Sequence, residues 1–516
     1  MHKSIRQSMA WLHSWAGLLL GWLIFTIFLF GTLSYYRSQI SQWMQPQWHQ
    51  ASISQQHAFA SAWSYLQKNA PDAQNWQINV ASTEQPFNRI YWQAADHRYV
   101  FKNIDYRSGQ EVSLTTQGGD FFYNFHFQLY AVPVMWGRII TSFAAFFMLI
   151  ALISGIITHK KIFTDFFTLR TFKSQRSWLD FHNVVSVIAL PFFLTITFTG
   201  LAIFFYIYLP YGLKHNYSEN TQQFFQEIAE TPTQHPDSSN PSAAMLTFPQ
   251  IQSILNKQWA GQPEISTVNV KQPNTRAAQI IIKQKQDHSI TLNSPQLVLS
   301  GVTGKIIQNT RRNTAVSSLY AGIYGLHMAP FAQPILRFAL FLSGLFGCLM
   351  IASGMLLWSL KRQLQNKQQQ FHFGHYMVDR LNINTCVGLP IAVLAYFYSN
   401  RLWTLSHQIN LEIPCFFIAW FLSLICALFT PKKILWQSQL AVFIVLAVCL
   451  PLLNIFTLFQ QHWIHHWQDY LYYLNFDLFV WGFAALAVFI YFKIKPIQEH
   501  AKQRMIKKIQ QQREIP

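Results

Sequence analysis

Four histidines recur in the chain with matched surroundings. His13, in "WLHSWAGLLLGWLIFTIFLFGTL", lies 18 residues before Gly31, and His182, in "LDFHNVVSVIALPFFLTITFTGLAIFF", lies 18 before Gly200. His126 and His327, in "FHFQLYAVPVMWGRIITSF" and "LHMAPFAQPILRFALF", stand shortly upstream of Arg138 and Arg337, and each arginine is followed 17 residues later by Gly155 or Gly354. An imidazole in apolar surroundings costs free energy unless it is hydrogen-bonded or bound. Neutral imidazole is also a common metal ligand. Four in register read as a ligand set, and a structural hydrogen bond at a helix end is the other role open to each.

The elements that must hold them are membrane spans. Of the 516 residues 51% are hydrophobic, 16% aromatic and 11% charged, whereas a soluble protein carries about 25% charged residues. Apolar runs long enough to cross a hydrocarbon core of about 30 Å lie near 14–36, 134–157, 184–209, 335–358, 383–400, 412–429, 434–458 and 475–493. They amount to about eight spans. The first run follows the basic stretch "MHKSIRQ" but is too long for a signal-peptide core and has no small-x-small site after it, so it reads as a retained anchor. His13 sits at the mouth of that run.

Lys and Arg cluster in "HKKIF", "RTFKSQR", "KRQLQNK", "TPKKIL" and the tail. By the positive-inside rule these segments and both termini are cytoplasmic. The net charge of +18 is then mostly a topology signal, and no aromatic-interleaved basic surface points to nucleic acid. The reading divides the chain into a first span within 1–36, an outer segment 37–132, a second span 133–158, a third 178–209, a second outer segment 210–333, a fourth span 334–361, a four-span bundle 376–494 and a basic tail 495–516. All five cysteines (Cys348, Cys386, Cys415, Cys426, Cys449) lie in or beside spans. No CxxC or CxxCH occurs, which leaves no redox dithiol and no covalent haem attachment.

The unit of span, outer segment, histidine and span occurs twice. The outer segments repeat as well. Residues 58–69 have helical spacing, and "WQINVAS", "NRIYWQA" and "RYVFKNID" alternate as strands before the turn "DYRSGQEV". The second copy runs "FPQIQSILNKQW", "STVNVKQ", "AAQIIIKQ", "SITLNS" and "QLVLSGVTGKII". Each reads as a helix followed by a small antiparallel sheet. The expected fold is a mainly α membrane protein of about eight transmembrane helices, with two small α+β domains inserted after the first and third.

The span histidines, the paired outer modules ending in Ser-Gly or Thr-Gly turns, "ALPFFLTITFTGL" and the later "GLH" together resemble the PepSY-associated transmembrane proteins. Within that family the chain is most similar to inner-membrane reductases of siderophore-bound ferric iron, over roughly residues 5–400. The resemblance implies a bacterial inner-membrane protein with two non-covalent b haems, a ferric siderophore as substrate, and His13, His126, His182 and His327 as iron ligands. Two opposed imidazoles saturate haem iron and favour electron transfer. His13 and His182 open outward-running spans and pair on the cytoplasmic side. His126 and His327 precede inward-running spans and pair on the outer side. His159, in "GIITHKK", is the alternative inner ligand; the matching position of the second repeat carries Trp358. Arg138 and Arg337 suit haem propionates or anchoring at the interface. The four glycines allow close approach of a macrocycle or a helix.

Asp379, Arg380, Asn382 and Asn384 open the fifth span and read as local caps or pairs. His462, His465 and His466 sit in an aromatic loop, as a metal pair or an interfacial belt, and Asp477 falls inside the last span without an evident partner. No G-x-G-x-x-G fingerprint is present and the loops between spans on the basic side are short, so the electron donor is expected to be separate, a flavoprotein or membrane quinol. Two other readings remain: a non-enzymatic sensor or binding protein, and a transporter of iron or its chelate.

Overall fold

The computed structural model describes residues 4–49, 52–94, 96–159, 175–218, 223–224, 241–259, 264–285, 289–309, 314–365, 371–403 and 411–513. Two compact units emerge, one of Met1–Pro46, Thr115–Phe198 and Phe338–Pro516, the other of Gln47–Leu114 and Thr199–Arg337.

The first unit is helical. Helix α1 (Ile5–Ser34) is followed by α2 (Arg37–Met44), and α3 (Gln55–Asn69) belongs to the second unit. A short helix α4 (Asp120–Gln128) leads into α5 (Val134–Thr158), and α6 (Gln175–Ile188) into α7 (Leu190–Ile203). After α8 (Phe248–Gln258) and α9 (Ala315–Met328) come α10 (Pro334–Gln365), α11 (Phe373–Ile383), α12 (Leu389–Trp403), α13 (Glu412–Phe429), α14 (Leu435–Gln460) and α15 (Trp467–Arg513). Among the described residues seven helices are long and apolar enough to cross a membrane, and a bent pair raises the number to eight. The expected span count is therefore met, and the chain is a multi-pass membrane protein.

Two spans depart from the sequence reading. The third is not straight: Arg176–Ile188 and Leu190–Ile203 meet at 66°. Pro191, one residue past the break, has no N–H to give to a carbonyl of the preceding turn. The first span begins earlier than expected, because Ser4 and Gln7 form a capping box that starts α1 at Ile5. His13 thus stands more than two turns inside the helix. Helices α11 and α12 are joined by the π-helical turn Asn384–Gly388. A Cβ on Gly388 would fall 2.2 Å from Ser423 Oγ, so any larger residue there would force Ser423 and Asn384 to shift.

The second unit is built on an antiparallel sheet of β1 (Asn75–Asn79), β2 (Phe87–Gln93), β3 (Tyr99–Asp105), β4 (Ile265–Lys271), β5 (Gln279–Gln284), β6 (Gln296–Ser300) and β7 (Ile306–Gln308). Among the described residues the strand order is β3-β2-β1-β4-β5-β6-β7. The two halves, expected as separate small sheets, join through the first strand of each copy: β1 pairs β4 antiparallel, with Gln77 opposite Asn269 and Ile78 opposite Val268. Each half alone would leave an unpaired strand edge, and the junction satisfies both edges. Phe59, Trp63 and Leu66 of α3 and Ile251 and Leu255 of α8 cluster with the buried sheet residues Ile78, Ile90, Val268 and Ile280.

Candidate functional site

Each of the four histidines packs on the glycine of a neighbouring helix. His13 on α1 places Nδ1 2.8 Å from the Ala151 carbonyl of α5, and a Cβ on Gly155 would lie 3.1 Å from its Cε1. His182 on α6 places Nδ1 3.0 Å from the Met350 carbonyl of α10, with Gly354 opposite at 3.2 Å by the same measure. His126 on α4 bonds the Ile27 carbonyl of α1 at 2.8 Å and faces Gly31 at 2.7 Å. In each case the glycine follows the accepting carbonyl by four residues. It is the residue whose N–H closes the helical bond to that carbonyl, and its missing Cβ opens the groove through which the imidazole arrives.

The fourth histidine varies the theme. His327, near the end of α9, places Nδ1 3.0 Å from Thr199 Oγ1 and faces Gly200 at 3.0 Å. All of these residues lie in the second unit, as His126 and its partners lie in the first.

The hydrogen bonds fix the chemistry of the rings. A carbonyl only accepts, so Nδ1 of His13, His126 and His182 carries the proton and Nε2 holds the lone pair that binds metals. At His182 the Ser353 hydroxyl donates to the Met350 carbonyl at 2.9 Å, which leaves its oxygen to accept from Nδ1 at 3.0 Å. Helices α1 and α6 bring the rings of His13 and His182 to a centroid separation of 6.2 Å with 68° between their planes. Two metal–nitrogen bonds of about 2 Å, together with the depth of the two rings, put the centroids of an opposed pair roughly 6 Å apart. The observed separation is of that size.

A family model of the PepSY-associated TM region matches residues 10–361, which include both repeats and all four histidines. The chain belongs to this PepSY-associated family. Comparison with curated proteins gives no match. Helices α11 to α15 lie beyond the matched residues of this PepSY-associated chain.

The remaining candidates take defined places. His159 places its Nε2 2.7 Å from the Asn183 amide nitrogen, beside His182. Trp358, its counterpart, packs edge-on against Trp15 at 6.5 Å and His375 at 6.0 Å. Arg138 lies over the ring of Phe127, next to His126, at 5.6 Å. Arg337 donates from Nε to the Ala332 carbonyl at 3.3 Å, on the turn after His327. Both arginines thus reach back toward the histidine of their own repeat.

Among the C-terminal candidates Asp379 and Asn382 pair across elements, whereas Arg380 lies over the Tyr376 ring one turn back at 4.6 Å. Asp379 accepts from Lys432 at 2.7 Å and from Ser359 of α10, and Asn382 accepts from Trp22 of α1 at 2.9 Å. His465 and His466 give their backbone N–H groups to Asp469 at 3.2 and 3.1 Å, closing the start of α15. The rings of His462 and His465 stack at 6.4 Å. Among the described residues no group of three or more His, Cys, Asp or Glu side chains forms a metal site.

Sequence reasoning missed helix α4 as the carrier of His126, the carbonyl partners, and the setting of Asp477. The carbonyls left one trace, the glycine four residues on.

Proposed function

We propose that this PepSY-associated protein is a bacterial inner-membrane electron-transfer protein that holds two b haems and reduces a ferric siderophore in the periplasm. The observation that carries the reading is the closely placed His13–His182 pair, each ring held by Nδ1 on a neighbouring helix with Nε2 left as the ligand nitrogen. These residues fit an iron: two neutral nitrogen donors, glycines at the approach, and the buried apolar Leu152, Val185 and Met350 close in sequence to the rings or their acceptors.

Haem iron held by imidazole ligands would supply one-electron oxidation and reduction. His13 and His182 would hold the group nearer the cytoplasm, His126 and His327 the group nearer the periplasm, with the basic loops and both termini inside. The backbone carbonyls of Ala151, Met350 and Ile27 hold the ring proton on Nδ1, fix the orientation of the rings and raise their donor strength. Arg138 and Arg337 suit carboxylates at the outer pair. A ferric chelate that gains one electron becomes a ferrous one, and hard oxygen donors hold the ferrous ion less tightly. The chain carries no nucleotide fingerprint, so the donor is a separate flavoprotein or quinol.

The test is an optical spectrum of the purified protein, oxidised and dithionite-reduced, with pyridine haemochrome quantification. Two b haems per chain are expected, one lost in His13→Ala and His182→Ala, the other in His126→Ala and His327→Ala. A colourless protein from haem-replete cells would overturn the reading.

A further inference from the structure

The C-terminal helices α11 to α15 lie outside the two repeats, yet they enclose two fully buried, hydrogen-bonded charges of the first unit. Arg401 and Asp477 are both 0% exposed. Arg401 donates from Nε to Asn454 at 2.8 Å, from Nη1 to Asn400 at 2.7 Å and from Nη2 to the Trp43 carbonyl. Asp477 accepts from Asn454 at 2.7 Å, Tyr470 at 2.8 Å and Trp43 Nε1 at 3.2 Å. The guanidinium also stands 3.8 Å over the Trp43 ring. Three C-terminal helices, α12, α14 and α15, thereby converge on one residue of α2, gripping its carbonyl, its ring face and its indole N–H.

Helix α2 in turn holds α4. Arg37 pairs with Asp120 at 2.5 Å and lies 4.3 Å over Tyr123, and Ser41 accepts from the Gly119 amide at 2.9 Å. Approach is so close that a Cβ on Gly119 would fall 2.2 Å from the Arg37 carbonyl. Tyr396 of α12 donates to the Gly118 carbonyl at 2.9 Å and stacks on Phe121 at 5.0 Å. Helix α4 has nine residues, too few to hold its own place, and His126 lies in its last turn.

We infer that the C-terminal bundle is a clamp: Arg401 and Asp477 seat Trp43, α2 and Tyr396 seat α4, and α4 sets the position of His126. Trp43, Arg401 and Asp477 are positioning residues for that histidine. His13 and His182 take their orientation from α5 and α10, so the clamp acts on one histidine layer and spares the other. A charged network suits this task because it is satisfied in one geometry only, and a partner removed leaves a bare charge in the membrane.

The inference rests on the haem reading for one of its two tests. Trp43→Ala, Trp43→Phe and Asp477→Asn are made in the full chain in nanodiscs, beside His126→Ala and His13→Ala. Trp43→Ala should copy His126→Ala in haem content and in the lost or shifted low-spin resonance, and keep the resonance that His13→Ala removes. Trp43→Phe, which retains the ring but not the N–H, should shift the same midpoint potential without loss. Hydrogen exchange of the 118–130 backbone should rise by at least about tenfold in Trp43→Ala and Asp477→Asn, with the first half of α1 unchanged. Wild-type spectra and exchange in all three variants would overturn the clamp, as would equal disturbance of both layers. A colourless wild type sinks the haem reading alone, and the exchange measurement then decides the clamp by itself.

Discussion

Gly31 and His126 stand face to face across α1 and α4, with the position of a Cβ on the glycine only 2.7 Å from the imidazole Cε1. The ring cannot simply turn away, since its Nδ1 is bonded to the Ile27 carbonyl one turn below. Alanine at residue 31 gains up to about 1 kcal/mol in helix propensity, while forced overpacking costs about 1–3 kcal/mol. Gly31→Ala is expected to be net destabilising and to displace His126. Gly354→Ala, whose Cβ meets His182 at 3.2 Å, should be close to neutral. Melting temperatures of the two variants in detergent check the order, and an equal effect would contradict it.

His13 and His182 act as a pair or not at all. If they grip one ion, removing either ring abolishes the same ligand site, and the double variant His13→Ala/His182→Ala loses no more bound cofactor than either single one. Residues acting as a unit show such non-additivity. Losses that add up in the double variant would mean two independent sites.

How much of this was legible in the sequence depends on what kind of contact was involved. The histidine and glycine register was legible because a repeat copies its spacing whatever the fold, and the apolar runs marked the spans for the same reason that they cross a membrane. The bend at Pro191 was signalled in "ALPFF" but hidden by the unbroken hydrophobicity on either side. The β1–β4 junction left no mark, because alternation tells which face of a strand is buried and not which edge is paired. Asp477 was unreadable for a different reason. Its donors Trp43, Asn454 and Tyr470 come from three helices, with Trp43 more than four hundred residues away, and no local pattern records them.

The Asn183 contact predicts that His159 is dispensable as a ligand. An amide N–H that donates to Nε2 at 2.7 Å occupies the lone pair that a metal needs. His159→Gln should therefore retain the full cofactor complement, with a small change at the inner pair through Asn183. Loss of one equivalent in the pyridine haemochrome assay would restore His159 to the ligand set.

Acid should loosen the sheet unit through Glu111. Its carboxylate accepts from Lys102 of β3 and, at 2.6 Å, from Tyr65 of α3, and these two bonds hold its pKa below the usual glutamate value of 4.5. A carboxyl whose pKa is lowered on folding stabilises fully above the unfolded value, and the contribution disappears as the pH falls through the folded one. The groups are largely solvent-facing, so the effect is under about 1 kcal/mol. Between neutral pH and the acid side of 4.5, Glu111→Gln should lose less melting temperature than the wild type. Parallel pH curves would exclude the contribution.

The β1–β4 junction predicts that neither copy of the outer repeat is stable without the other. Ile78 and Val268 are cross-strand partners, both fully buried in the shared core. Truncating either to alanine should cost about 1–5 kcal/mol, depending on how far the site collapses. Because each residue is the other's neighbour, the double variant should cost less than the two single changes together. Hydrogen exchange in the full chain would show the consequence directly: Ile78→Ala should deprotect β4 as well as β1, although β4 lies in the other copy. Loss of protection confined to β1 and β2 would show that the halves are stable separately and that their pairing is incidental.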